Sequence, residues 1–244
     1  MSNTKCHFDW FPKGALKAAD QGDIVIIVDV LSFSTTVAYA VSNSAIIIPY
    51  YHPNMAEEIA FREKAIISVS RSEVPSKGKY SLSPATFLDI KAGEKVVLVS
   101  PNGARCCLNS NGAFEIIIGG FINAKAVCVY AMEIMKSSGK SVTVIACGER
   151  EYESFEGELR KADEDYLGAG AIISQLPCEK TNEAALCENY FIKHKDNLEN
   201  EVSKCKSGLE LSEWGYNKDV ELAIKLNCLE VVPVYKNGII ASFD

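Results

Sequence analysis

The sequence has no CxxC pair, no closely spaced histidines and no net positive charge, and each absence removes a class of function. Nine cysteines are scattered without the spacing of a disulfide framework, so most read as reduced, small apolar residues. His7, His52 and His194 lie too far apart for a zinc motif. A formal charge of −7 gives no general attraction to nucleic acid or to an anionic membrane, and an anionic substrate would need a locally positive site. No apolar run reaches the ~18 residues that span a bilayer, and Met1 to Asp9 is polar, without the pattern of a signal peptide. The expected location is the cytoplasm. There is no Gly-x-x-x-x-Gly-Lys-Ser/Thr loop, which argues against nucleotide binding of the P-loop kind.

What remains is a 244-residue chain with a 48% hydrophobic share, enough to bury a substantial core. Asp23 to Leu31 is almost continuously β-branched, the signature of a strand covered on both faces. A helix through about Asn43 and an isoleucine-rich strand at Ala45 to Tyr50 follow. The alternation continues with strands at Lys95 to Val99, Glu115 to Ile118 and Ser141 to Ala146, and with helices from about Ala104, Asn123 and Ala162. Ser70 to Pro84 is irregular and reads as a mobile loop, suited to covering a bound substrate. Asn237-Gly238 between apolar segments signals a hairpin that makes the sheet mixed. With no linker or internal repeat, the expected fold is one domain over residues 1–244, a three-layer α/β/α sandwich on a largely parallel sheet.

Ligands of open α/β sheets sit beyond the carboxyl ends of the strands, and the residues following these strands are polar. Asp29 lies in an apolar strand, where a carboxylate needs a cation or several hydrogen bonds; a metal ion and a structural role both answer that need. Ser34, Thr35 and Thr36 open a helix, the place for an anion or for ordinary capping. Asn102, Gly103 and Arg105 follow another strand, with Arg105 able either to hold an oxyanion bidentately or to point into solvent. Cys147, Gly148 and Glu149 follow a third, and covalent chemistry at Cys147 lacks a neighbouring histidine as activator. Glu164 and Asp165 start a helix, where carboxylates suit Mg²⁺ or the positive helix end; for Glu164 the helix-end reading is preferred.

Taken together, the segments IIVDVLSFSTTVAYAVSNSAIIIPY at 26–50, SPNGAR at 100–105, ACGE at 146–149 and EDYLGAGAI at 164–172 resemble the 2-phosphosulfolactate phosphatase family, which is associated with coenzyme M biosynthesis. The resemblance implies Mg²⁺-dependent hydrolysis of a small phosphorylated acid. It makes Asp29, Glu149 and Asp165 the candidate metal-binding and catalytic carboxylates. Ser34 to Thr36, Asn102, Gly103, Arg105, Cys147 and Gly148 would then hold the anionic substrate. A homo-oligomer is compatible with it. Family members carry Arg directly after the Asp-Val-Leu segment where this chain has Ser32, and a Gly-Glu-Arg segment where it has Val69-Ser70-Arg71. Loss of a cation at position 32 makes a catalytically impaired paralogue that binds an anionic metabolite the alternative expectation.

Overall fold

A computed structural model describes residues 4–151 and 158–242. Strands and helices alternate from the start: β1 (Lys5–Trp10), α1 (Phe11–Asp20), β2 (Ile24–Val28), α2 (Phe33–Ser42), β3 (Ile46–Tyr50), α3 (Ala56–Glu63) and β4 (Ile66–Ile67). The middle of the chain forms β5 (Lys95–Val99), α4 (Gly103–Asn109), β6 (Glu115–Ile118), α5 (Ala124–Ser138) and β7 (Val142–Ala146). The short pair β8 (Glu149–Arg150) and β9 (Leu159–Arg160) precedes α6 (Asp163–Ile173), β10 (Glu179–Lys180) and α7 (Asn182–His194). Three small helices, α8 (Leu198–Lys204), α9 (Lys206–Glu213) and α10 (Asn217–Ala223), lead to β11 (Val234–Lys236) and β12 (Ile239–Ala241).

Ten strands form one mixed sheet in the order β10-β1-β7-β2-β6-β11-β12-β3-β5-β4. Neighbours are parallel except around the β11–β12 hairpin, which pairs antiparallel with β6 on one side and with β3 on the other. Asn237 and Gly238 both take positive φ in its turn, the conformation that the Asn-Gly pair favours. Every residue of β2 is buried. Ile24, Ile26 and Val28 face a core shared with α5, α6 and α7, while Val25 and Ile27 face a second core shared with α1, α2 and α4. This alternation is the period of two expected of a strand covered on both sides, and it gives the α/β/α layering that the sequence predicted. Among the described residues no helix is long and apolar enough to cross a membrane.

The structure differs from the sequence reading in three places. β1 and α1 precede the first expected strand, and β1 lies inside the sheet between β10 and β7. β2 ends at Val28, which puts Asp29 one residue beyond the strand, in a tight turn. Ser70 to Pro84 is held at several points along its length. Val69 N–H donates to the Tyr80 carbonyl at 2.8 Å, and Ser70 and Glu73 cap a short turn. Tyr80 is buried, stacks on Phe87 with ring centroids 4.6 Å apart, and donates its hydroxyl to Glu94 at 2.9 Å.

Candidate active site

The turn after β2 is built by hydroxyl groups. Asp29 N–H donates to Ser34 Oγ at 2.9 Å, and that hydroxyl donates to the Ile27 carbonyl at 3.1 Å. Thr35 Oγ1 donates to the Val30 carbonyl at 2.6 Å, and Thr36 Oγ1 to the Leu82 carbonyl at 3.1 Å. All three side chains are buried. Ser34 does not cap α2, whose N-cap is Ser32; the Ser34 and Thr35 hydroxyls fix the turn that presents Asp29, and the Thr36 hydroxyl ties α2 to Leu82.

Asp165 joins two of these turns. Its Oδ1 accepts from Val30 N–H at 2.8 Å and its Oδ2 from Gly148 N–H at 2.9 Å, tying the ends of β2 and β7 to the first turn of α6. Gly148 has φ +69°, and a Cβ there would stand 2.4 Å from the Phe11 ring and 2.6 Å from the Arg160 carbonyl. Only glycine fits that position. Glu149 Oε1 accepts from Arg150 N–H at 2.7 Å and from Asn102 Nδ2 at 2.5 Å, so the segments after β5 and β7 meet as the sequence required.

The remaining candidates point elsewhere. Cys147 is buried in the α1–α2–α4 core; burial, with a hydrogen bond to Cys106, pushes its thiol well above the ordinary range. A thiolate nucleophile is incompatible with that environment. Gly103 packs so closely on Phe33 that a Cβ would stand 2.4 Å from it, which is a packing role. Arg105 places its guanidinium 5.7 Å from the centroid of the Tyr51 ring and is absent from the cleft walls.

A cleft of about 430 Å³ opens over this arrangement, with Asp29, Glu149, Glu151, Glu164, Asp165 and Glu210 in its walls against Arg71 and Arg150. Glu151 is paired with Lys206 and Glu210 with Arg160, which leaves Asp29, Glu149, Glu164 and Asp165 as the acids crowded together beside Arg71 and Arg150. Burial, reinforced by Glu149 and Glu164 and opposed by Phe33 N–H and Arg71, raises the Asp29 carboxyl to about 7. Burial, with Asp29 and Glu164, pushes Asp165 well above the carboxylate range. Burial also raises Glu149, against the hydrogen bonds from Arg150 N–H and Asn102. Glu164 is buried, and its Oε2 has no hydrogen-bond partner among the described residues, nor has Asn102 Oδ1.

Two features escaped the sequence reading. Glu164 faces the cleft from the first turn of α6 rather than serving only the helix end. Arg71 reaches the cleft from the 70–84 stretch and donates from Nη2 to Ser32 Oγ at 3.2 Å and to the Leu82 carbonyl at 2.8 Å. Its Nε meets the buried Asp219 at 3.0 Å, and Asp219 also accepts from Ser83 Oγ. The cation missing at position 32 is thus supplied beside position 32, from a residue about forty positions away. Its signal was the Arg retained in Val69-Ser70-Arg71.

A family model described as 2-phosphosulpholactate phosphatase matches residues 11–238. The chain belongs to this family. A protein of Carboxydothermus hydrogenoformans named a probable 2-phosphosulfolactate phosphatase is 28% identical over 230 residues, covering 92% of this chain and 90% of that protein. Proteins with the same name from Caldanaerobacter subterraneus, 25% identical with 88% and 89% covered, and from Clostridium perfringens strain SM101, 24% identical with 97% and 94% covered, extend the similarity across nearly the whole chain. The family relationship fits the site as built: the segments that carry the family likeness contain Asp29, Asn102, Glu149 and Asp165, which lie at strand ends and around the same turns.

Proposed function

We propose that the chain is a phosphatase that hydrolyses 2-phosphosulfolactate or a closely related small phosphorylated acid in the carboxylate cleft, with Mg²⁺ as its metal. The observation that carries this reading is the gathering of Glu149, Glu164 and Asp165 around Asp29, whose carboxyl is held near 7 first by burial and then by Glu149. A cleft built only to bind a phosphorylated anion would be lined by cations and backbone donors, whereas one that works through a divalent cation concentrates hard oxygen ligands.

The donor set fits a hydrated Mg²⁺. Among the described residues no three His, Cys, Asp or Glu side chains converge into a metal cage. Mg²⁺ commonly takes one or two carboxylates and completes its shell with water and substrate phosphate oxygens. Asp29 and Glu149 are the natural ligands. Both oxygens of Asp165 already hold backbone N–H groups, which gives it the role of positioning the two turns. When bound, the ion would neutralise charge on the phosphoryl group and polarise it toward attack.

The other roles follow from position. Arg71, held by Asp219 and two carbonyls, offers a fixed guanidinium to a phosphate, carboxylate or sulfonate oxygen. Asn102 orients Glu149. The attacking group is either a water that gives its proton to a carboxylate or Asp29 itself. The stereochemical course at a phosphorus made chiral with oxygen isotopes separates the two, because one displacement by water inverts it and two displacements through Asp29 retain it. The defining test is phosphate release from 2-phosphosulfolactate by purified protein with Mg²⁺ and with EDTA. Release that depends on Mg²⁺ is expected, and release at the same rate in EDTA would remove the metal from this reading.

A further inference from the structure

Beyond Arg71 the carboxylate cleft meets a second cavity, and the two share Arg71 and Trp214 as a common wall. The second cavity is the larger, about 920 Å³ against about 430 Å³. Its volume alone is in the range that holds a complete drug-sized ligand, whereas a small phosphorylated acid is accommodated by the cleft. The chemistry changes across Arg71. Ile67, Val69, Val99, Pro101, Trp214 and Tyr216 line the far side.

Polar groups on that side are already engaged or repel anions. Ser68 Oγ accepts from Val99 N–H at 2.9 Å, and Ser70 Oγ donates to Glu73 at 2.7 Å. Glu57 and Glu73, the charged residues of the wall other than Arg71, disfavour a second anionic group. Trp214 stays 56% exposed, although burying an indole is strongly favourable, and the Tyr216 ring is already 5.9 Å from the Arg71 guanidinium carbon. A large apolar surface left open beside a phosphate-handling cleft marks a place for the organic part of a ligand.

We propose that this protein accepts phosphomonoesters carrying a neutral aromatic group, with the phosphate in the carboxylate cleft and the ring in the second cavity against Trp214 and Tyr216. The proposal rests on the phosphatase reading and extends its substrate class. Two aromatic side chains favour a flat ring over an aliphatic chain of equal size, because offset stacking adds to the gain from burial. Trp214 and Tyr216 are specificity-determining residues in this scheme, and Arg71 is the hinge between the two halves of the substrate.

The test compares steady-state hydrolysis of 1-naphthyl phosphate, cyclohexylmethyl phosphate and 2-phosphosulfolactate by the parent protein, Trp214→Ala and Trp214→Phe, with calorimetric binding of 1-naphthylphosphonate by the same proteins. In Trp214→Ala the KM for 1-naphthyl phosphate is expected to rise at least fivefold more than the KM for 2-phosphosulfolactate, with a smaller change for the cyclohexyl ester and with Trp214→Phe restoring most of the loss. Equal changes on all three esters, or none, overturn the aromatic subsite, and continued hydrolysis of 2-phosphosulfolactate then leaves the phosphatase reading standing. Absence of phosphate release from every ester defeats the phosphatase reading, and calorimetry then decides the cavity directly. Naphthylphosphonate binding lost in Trp214→Ala keeps the subsite, whereas no binding by the parent protein removes it.

Discussion

Arg71 Nη2 donates to the Ser32 hydroxyl across 3.2 Å, while its Nε is paired at 3.0 Å with Asp219, a side chain only 1% exposed. The pair is therefore largely desolvated, and removing the cation leaves a buried carboxylate with only the Ser83 hydroxyl for compensation. Arg71→Ala is expected to cost about 3 kcal/mol in urea unfolding and to raise the KM for an anionic ester at least tenfold. Arg71→Lys should recover part of the stability and little of the KM, since a single ammonium does not reproduce the planar fork. Unchanged KM in a folded Arg71→Ala protein would remove Arg71 from substrate binding.

Ser32→Arg tests the same relationship from the other side. The sequence alone suggests that restoring Arg here repairs a lost anion contact. With Arg71 already bonded to the Ser32 hydroxyl, a second guanidinium would meet the first and displace it. The expected outcome is lower stability and no gain in kcat/KM on 2-phosphosulfolactate relative to methyl phosphate. A selective gain would show that the site lacks a cation after all.

The sheet was legible because its central strands are apolar runs that no other structure would bury. Ile24 to Val28 and Val142 to Ala146 are fully buried strands and read as such. β1 was missed although Lys5, His7 and Asp9 alternate with Cys6, Phe8 and Trp10 in the period of a strand, because the stretch is short and its partners β7 and β10 lie far along the chain. The carboxylates were found from their places after strand ends, a rule of topology. At Ser34, Thr35 and Thr36 the residues left anion binding and capping both open, because helix openings carry the same residue types whether they bind ligands or backbone. Arg71 and Asp219 escaped because they are 148 residues apart and meet only in the folded chain.

Gly148 links stability to the site. Its N–H holds Asp165, and neither the +69° φ nor the 2.4 Å approach to Phe11 leaves room for a side chain. Gly148→Ala is expected to destabilise by about 1–3 kcal/mol and to lower kcat more than Km-like binding terms, because Asp165 would lose its register with Glu149. A variant with the parent's thermal midpoint would contradict this geometry.

Thiol reactivity separates Cys147 from a catalytic role. Cys178 is half-buried, and a hydrogen bond from Cys6, aided by Lys180, lowers its thiol to about 7, whereas burial pushes Cys147 the other way. Iodoacetamide at pH 7.5 should label Cys178 and the exposed Cys228 in the native protein and spare Cys147. Cys147→Ala should keep phosphate release within about threefold of the parent, at some loss of stability from the cavity created. A hundredfold loss of rate in a folded Cys147→Ala protein would reopen thiol chemistry.

Asp29 ties the electrostatics to the chemistry and gives a pH dependence of definite sign. Its folded carboxyl sits at about 7, above the ordinary 3.8, so in metal-free protein the folded state holds a proton that the unfolded state releases. Stability in EDTA should therefore fall as pH rises from about 4 to about 7, through this group, and level off above. Asp29→Asn removes the penalty. It should match the parent near pH 4 and exceed it above pH 7, by no more than about 4 kcal/mol. Mg²⁺ reverses the balance, because an ion that requires the carboxylate must displace the proton. Mg²⁺ affinity of the parent should increase up to tenfold per pH unit below about 7 and flatten above it, with proton release visible in calorimetry as a dependence on buffer ionisation enthalpy. Asp29→Asn should lose both the proton release and at least a hundredfold in phosphate hydrolysis while remaining folded. An Asp29→Asn protein that is less stable than the parent at pH 8 in EDTA and still binds Mg²⁺ would make Asp29 a structural carboxylate.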